Sequence, residues 1–257
     1  MILCREQAMG RYFAKDYAGE PFQIFSTSHW VVIAIVIFVN LYFFYTACRQ
    51  TVGFQKSLGF ILALILLVNE AGWNVWNAVI GEWTIQTHLP FHLCTVMVFL
   101  SAIMLLTRNY TLYEAVYFAG IGGAAQALLT PNIGIYGYPH YRFFEQMVSH
   151  ASILTAAVYM TTIGGYRPTW KSIPRVFIAL NIYLEFVGIV NQLLGSNYLY
   201  LAHKPQTPSL LDYLGPWPWY ILAGQFICLL TFVLLYAPFA IKDRISKNAC
   251  VFTDCQS

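Results

Sequence analysis

Long apolar blocks with almost no charge inside them constrain this chain more than any other feature. Segments near 29–47, 58–80, 91–106, 112–129, 143–163 and 174–194, and a last one ending near Pro238, each read as a hydrophobic helix of about the length that crosses a bilayer. The hydrocarbon offers no water to an unpaired peptide group, so blocks of this kind must satisfy their backbone internally, as helices do. Only 10% of the 257 residues are charged and 58% are hydrophobic, where a soluble domain carries about 25% charged residues. The expectation is an all-α polytopic membrane protein with seven transmembrane helices. It divides into a polar or interfacial arm over residues 1–28, a helical domain over 29–240 and a cytoplasmic tail over 241–257.

Seven crossings leave the termini on opposite sides. The connections one–two, three–four and five–six and the C-terminal tail hold nine of the fourteen Lys and Arg, which predicts the N-terminus outside and the C-terminus inside; the expected location is the cell membrane. A net charge of +3 is too mild to point to nucleic acid. Residues 1–28 show no basic stretch followed by an apolar core, so no cleavable leader is expected. Cys4, Cys48, Cys94, Cys228, Cys250 and Cys255 form no C-x-x-C pair and no zinc-like spacing, and no cofactor is expected. Cys250 and Cys255 would lie in a reducing compartment and stay thiols.

The stretch Leu89-Pro90-Phe91-His92-Leu93-Cys94 brings a histidine and a thiol to the expected start of the third helix, with Pro90 at its first turn. Unpaired N–H groups and the positive end of the dipole favour anions and thiolates there. On a regular helix His92 and Cys94 lie about 200° apart, so one of the two faces a site and the other packs. His88 and His92 have an H-x-x-x-H spacing, a weak metal signal with Pro90 between them. With the expected topology all six histidines fall at one end of the bundle. Preference for helix ends explains His29, His88, His140 and His203, and it explains His92 and His150 less well.

A charged group mid-helix costs roughly 2.5–3.5 kcal/mol on insertion scales, so each needs a partner or a task. Glu70, Asn74 and Asn77 make one polar stripe on the second helix, level with the histidines. Asn181 and Glu185 pair at i, i+4 on the sixth. Gln126 and Asn191 read as hydrogen-bonding groups that hold helices together. The run Gly120-Ile121-Gly122-Gly123 lets a neighbouring helix come close. The segment from Asn197 to Trp219, rich in Tyr, Trp and Pro, reads as a rigid lid at the boundary, with Lys204 as its single Lys or Arg.

Leu-Pro-Phe-His-Leu-Cys at 89–94, the glycine run leading to Thr130-Pro131, Arg142-Phe143-Phe144 before His150, and Asn197-Tyr198-Leu199-Tyr200-Leu201 with Gly215-Pro216-Trp217-Pro218-Trp219 together resemble the YwaF-like family of bacterial seven-helix membrane proteins. More distantly the chain is similar to eukaryotic polytopic phospholipid acyltransferases and lipid-ester hydrolases. That resemblance implies a nucleophile at the level of His92 to Cys94 and a histidine on a later helix at His150.

Two functions compete, beside a structural reading in which the polar residues only lock the bundle. In the first, the protein modifies membrane lipids by acyl transfer or ester hydrolysis at the outer boundary. Cys94 or His92 would be the nucleophile, His150 the general base, Glu70 or Asp212 would orient the histidine, and Asn74, Gln126, Lys204 and Asp212 would contact substrate. In the second, the protein is a transporter or small-molecule binder whose polar path runs past Glu70, Asn74, His150 and Glu185.

Overall fold

The computed structural model describes residues 12–46, 51–205 and 210–254. Cys4, Arg5, Arg11, Cys48, Arg49 and Cys255, on which some of the charge and thiol expectations rest, lie outside the described residues, as does the side chain of Cys250. The described residues form seven long helical segments and no strand: α1 (Thr27–Thr46), α2 (Val52–Val79), α3 (Leu93–Thr107), a composite α4 over 110–129, α5 (Tyr141–Thr162), α6 (Ser172–Leu194) and α7 (Trp219–Asp254). Two 3₁₀ turns, Tyr198–Tyr200 and Leu210–Leu214, lie between α6 and α7.

Four of these helices, α1, α2, α6 and α7, are long and apolar enough to cross a membrane. The other three differ for physical reasons. Helix α3 is apolar but has 15 residues, about 22 Å. Helix α5 carries Arg142, Glu145, Gln146 and His150 and is buried along most of its length. It packs against α1, α2, α3 and α4 at the centre of the bundle, so protein rather than lipid surrounds its polar side chains. Helix α4 runs through Tyr110–Ala115, the π-helical turn Val116–Gly120 and Ile121–Leu129. Its wide turn is buried throughout. The glycine run meets three helices: a Cβ on Gly120, Gly122 or Gly123 would touch Ile153, Thr231 or Leu93 respectively.

Contacts between connections define two ends. At one, Tyr110 donates to the Arg167 carbonyl (2.9 Å), Tyr166 to that of Arg108, and Arg167 pairs with Asp243 (2.6 Å). At the other, the histidine end, Tyr198 donates to the Ile85 carbonyl (2.7 Å) and His29 bonds the Leu128 carbonyl (2.7 Å). The N-terminal residues are docked here rather than loose. The carbonyls of Phe13, Ala14 and Lys15 accept from Trp76, His140 and Tyr136. Gly137 permits the approach, since a Cβ there would stand 2.2 Å from the Glu20 carbonyl.

Two expected boundaries are corrected. Pro90 does not open α3: it lies in a turn, and the helix starts at Leu93 with His92 as its extended N-cap (φ −69°, ψ 144°). Pro238 does not end α7, which continues to Asp254 through the expected tail. A proline inside a helix removes one N–H and crowds the turn before it. Here the nearby Leu235 carbonyl accepts from Tyr117 (2.9 Å) and Arg167 donates to the Phe239 carbonyl (3.0 Å).

Candidate functional site

Depth is the property that brings the expected residues together. At 1.5 Å per residue, Glu70 lies about 14 Å from the end of α2, and His150 about 14 Å from the start of α5. Tyr183 lies about 16 Å from the end of α6, and its hydroxyl donates to the Phe91 carbonyl at 2.9 Å. The rings of Phe91 and Phe186 also meet, at 5.9 Å. The 89–92 segment therefore dips into the bundle, and α3 begins at the level of Glu70 and His150.

His92 caps α3 without a side-chain bond to it, which leaves the first N–H groups of the helix without a helical acceptor. Its Nδ1 instead accepts from Leu199 N–H (3.4 Å), so its proton sits on Nε2. The ring lies 5.1 Å from that of Tyr198 and 5.6 Å from that of Tyr200. Because His92 is extended, the separation of about 200° expected for a regular helix does not hold. Tyr200 neighbours the His92 ring. Burial pushes the Tyr200 hydroxyl up, Arg142 pulls it down and Cys94 pushes it up.

The turn that presents Tyr200 is strained. Leu199 and Tyr200 have φ of 60° and 55°, at a cost of roughly 1–2 kcal/mol each for non-glycine residues. The conformation is held from both sides. Asn191 accepts from Tyr198 N–H (2.8 Å) and donates to its carbonyl (2.9 Å), and Tyr220 donates to the Tyr200 carbonyl (2.5 Å). Asn191 thus bonds the turn that follows its own helix, and not the neighbouring helix that was expected.

The other histidines separate by how their nitrogens are used. In His29 and His140, Nδ1 accepts a backbone N–H and Nε2 donates to a distant carbonyl, so both rings are structural. In His150, Nδ1 donates to the Gln146 carbonyl (2.8 Å), which leaves Nε2 as a bare acceptor on a buried ring. Helix α5 packs against α3, yet no hydrogen bond joins His150 to Cys94 among the described residues.

Arg142 and Glu145 are the members that sequence reasoning missed. Arg142 pairs with Glu145, and its guanidinium lies 4.1 Å over the Trp73 ring. Its charge reaches Glu70, His88, His150 and Tyr200. Asn69 donates to the Glu145 carbonyl (3.1 Å) and to its carboxylate (3.5 Å). Glu70 accepts from Asn74 (2.9 Å), whose oxygen accepts from Trp83 (2.9 Å). Asn74 therefore positions Glu70, both ends of its amide being engaged. A signal existed: Arg142 and Glu145 at i, i+3 open the helix that carries His150.

The remaining expected residues scatter. Gln126 is exposed on α4. Lys204 lies 5.7 Å over the Tyr220 ring, and Asp212 is exposed on the Leu210–Leu214 turn. Glu185 is exposed on α6. His88 sits on the wall of an open cleft of about 310 Å³ with Lys15, Trp73, Trp76, Asn77 and Glu82. Burial holds His88 below the usual histidine range. That cleft shares Trp73 with the Arg142 cluster, and Cys94 and His150 do not line it. Among the described residues no group of three His, Cys, Asp or Glu is arranged to hold a metal ion.

The helices and the buried polar layer define a multi-pass membrane protein. The sequence profile of the TMEM164 family, a membrane protein family, matches residues 24–236, and the chain belongs to that family. The match does not itself point to the YwaF-like family that the motifs resemble, nor to acyltransferases. No curated protein and no solved structure matches the chain.

Proposed function

We propose that this protein is a lipid-modifying enzyme of the cell membrane, whose seven helices all cross the bilayer with the histidine end outward, and which transfers or hydrolyses an acyl ester of a membrane lipid. The observation that carries the reading is the shared depth of a thiol at the open start of α3 and a buried imidazole with a bare Nε2. His150 takes the Cys94 proton, and the thiolate attacks the ester carbonyl carbon, forming a C–S bond. The oxyanion is met by the free N–H groups of α3 and by His92 Nε2–H. As the C–O bond breaks, the leaving alkoxide receives the proton from His150. A second hydroxyl, from water or a lysolipid, then gives His150 its proton, attacks the thioester and restores the thiol. Glu70 and Arg142 set the field around the imidazole, and Lys204 on the α6–α7 connection meets a lipid phosphate.

The test uses purified protein in nanodiscs with a phospholipid radiolabelled in its acyl chain, and reads products for wild type, Cys94→Ala, His92→Ala and His150→Ala. Loss of about 10²–10⁴-fold is expected for Cys94→Ala and His150→Ala, and about 10²–10³-fold for His92→Ala. Unchanged lipids in all four samples count against catalysis. An active Cys94→Ala beside a dead His92→Ala would make His92 the nucleophile.

A further inference from the structure

Three consecutive residues converge on one imidazole. The His92 ring lies 5.1 Å from that of Tyr198 and 5.6 Å from that of Tyr200, and between them Leu199 N–H donates to its Nδ1 (3.4 Å). Side chains two residues apart diverge by about 200° on a regular helix. Two rings and the intervening amide therefore meet one group only through an irregular turn. That turn has left-handed φ at Leu199 and Tyr200 (60° and 55°), where glycine would sit without strain. Strained backbone of this kind persists only where its surroundings over-determine it.

The surroundings do so at Tyr198. Its side chain is fully buried, and its hydroxyl accepts from Leu89 N–H (2.9 Å) and donates to the Ile85 carbonyl (2.7 Å). Asn191, itself buried, holds both backbone groups of Tyr198, and its oxygen also accepts from the Ser196 hydroxyl (2.8 Å). One residue thus ties the end of α6 to the 85–92 segment, and the next amide along meets His92. The other ring nitrogen is left alone. No hydrogen bond engages His92 Nε2 among the described residues, where the two side-chain polar atoms sealed without a partner are Asn40 Oδ1 and Ser101 Oγ. Nε2 is both unpaired and reachable.

We infer that Leu199, held by Tyr198 and Asn191, is a positioning residue whose amide locks His92 as a neutral ring with a free Nε2–H. An imidazole that accepts at Nδ1 carries its one proton on Nε2. His92 is then a hydrogen-bond donor, and neither a base nor a nucleophile. The use of that donor at the oxyanion rests on the acyl transfer proposed above; the lock rests on the geometry of the turn. Packing alone asks for no strained amide at a ring nitrogen.

The test is nitrogen NMR of the full chain in nanodiscs with isotope-labelled histidine, the His92 signals being those lost in His92→Ala. Wild type should show Nδ1 bare and Nε2 protonated. Leu199 is then replaced by its α-hydroxy acid, which turns the peptide bond after Tyr198 into an ester and removes that one N–H. An ester oxygen facing the Nδ1 lone pair repels it, so the proton moves to Nδ1 and the Nε2–H donor is lost. For lipid turnover, kcat should fall about 10²-fold with KM unchanged. Leu199→Gly, which keeps the amide, retains the wild-type tautomer. A protonated Nδ1 in wild type overturns the inference. So does an ester variant with an unchanged tautomer, even where its turnover falls, because the turn is then only structural. A tautomer change in a protein that converts no lipid supports the lock and counts against the proposed reaction alone.

Discussion

Two buried charge clusters sit at opposite ends of this bundle, and they are built on different principles. At the end away from the histidines, Glu114 is fully buried and accepts from Ser172 and from Arg175 (2.5 Å), while Ser172 also accepts from Thr169 N–H (2.9 Å). Both Glu114 carboxylate oxygens have a partner, and the result ties α4 to α6. At the histidine end, Arg142, Glu145, Glu70 and Asn74 are equally well bonded, but they enclose groups with capacity left over. These are His150 Nε2, His92 Nε2–H, the Cys94 thiol and the open start of α3. A satisfied cluster locks helices together. A cluster that leaves donors and acceptors unused at the site of a nucleophile is suited to bind and transform something else.

That contrast breaks or sharpens under substitution. The largest effect is expected for Arg142→Ala, which strands Glu145, only 5% exposed, beside Asn69 alone. Loss of a buried partner costs about 3–5 kcal/mol, and both the melting temperature and lipid turnover should fall together. Arg175→Ala leaves Glu114 with Ser172, and the Arg175 side chain is 52% exposed, so about 1–3 kcal/mol is expected. Turnover per folded molecule should be unchanged. A folded but inactive Arg175→Ala would erase the distinction between the clusters. The smallest effect belongs to the exposed Lys15–Glu82 pair at the rim. Lys15 holds the Glu82 carboxyl below its usual range, so the pair's contribution is present above the unfolded value and lost as pH falls through the lower folded one. Lys15→Ala should therefore differ slightly from wild type at pH 7, and not at all well below about pH 4 or in high salt.

Helix positions were legible in the sequence because apolar blocks between turn residues leave few alternatives in a membrane protein, and all seven blocks became helices. Orientation about each helix axis was not. A lipid-facing side is as apolar as a buried one, so the contrast that marks the inner face of a soluble helix fades. Gln126 and Glu185 were expected to face inward for that reason, and both are exposed. The dip of 89–92 was hidden by Pro90, which suits a helix start as well as a turn. Its marker was the Tyr183–Phe91 bond, a contact between residues 92 apart. Arg142 was read as the edge of a connection, although its side chain is only 16% exposed and pairs with Glu145. His150 was readable, because a histidine two turns into an apolar block has no bland reason to be there.

The most direct test of the central claim is intact-protein mass spectrometry of the purified chain after brief exposure to a phospholipid of defined acyl chain. The account predicts a mass increase of one acyl group on Cys94, removed by hydroxylamine, absent in Cys94→Ala and unaffected by Arg175→Ala. An acyl-free Cys94 in a protein that still converts lipid, or an adduct that persists in Cys94→Ala, would contradict it.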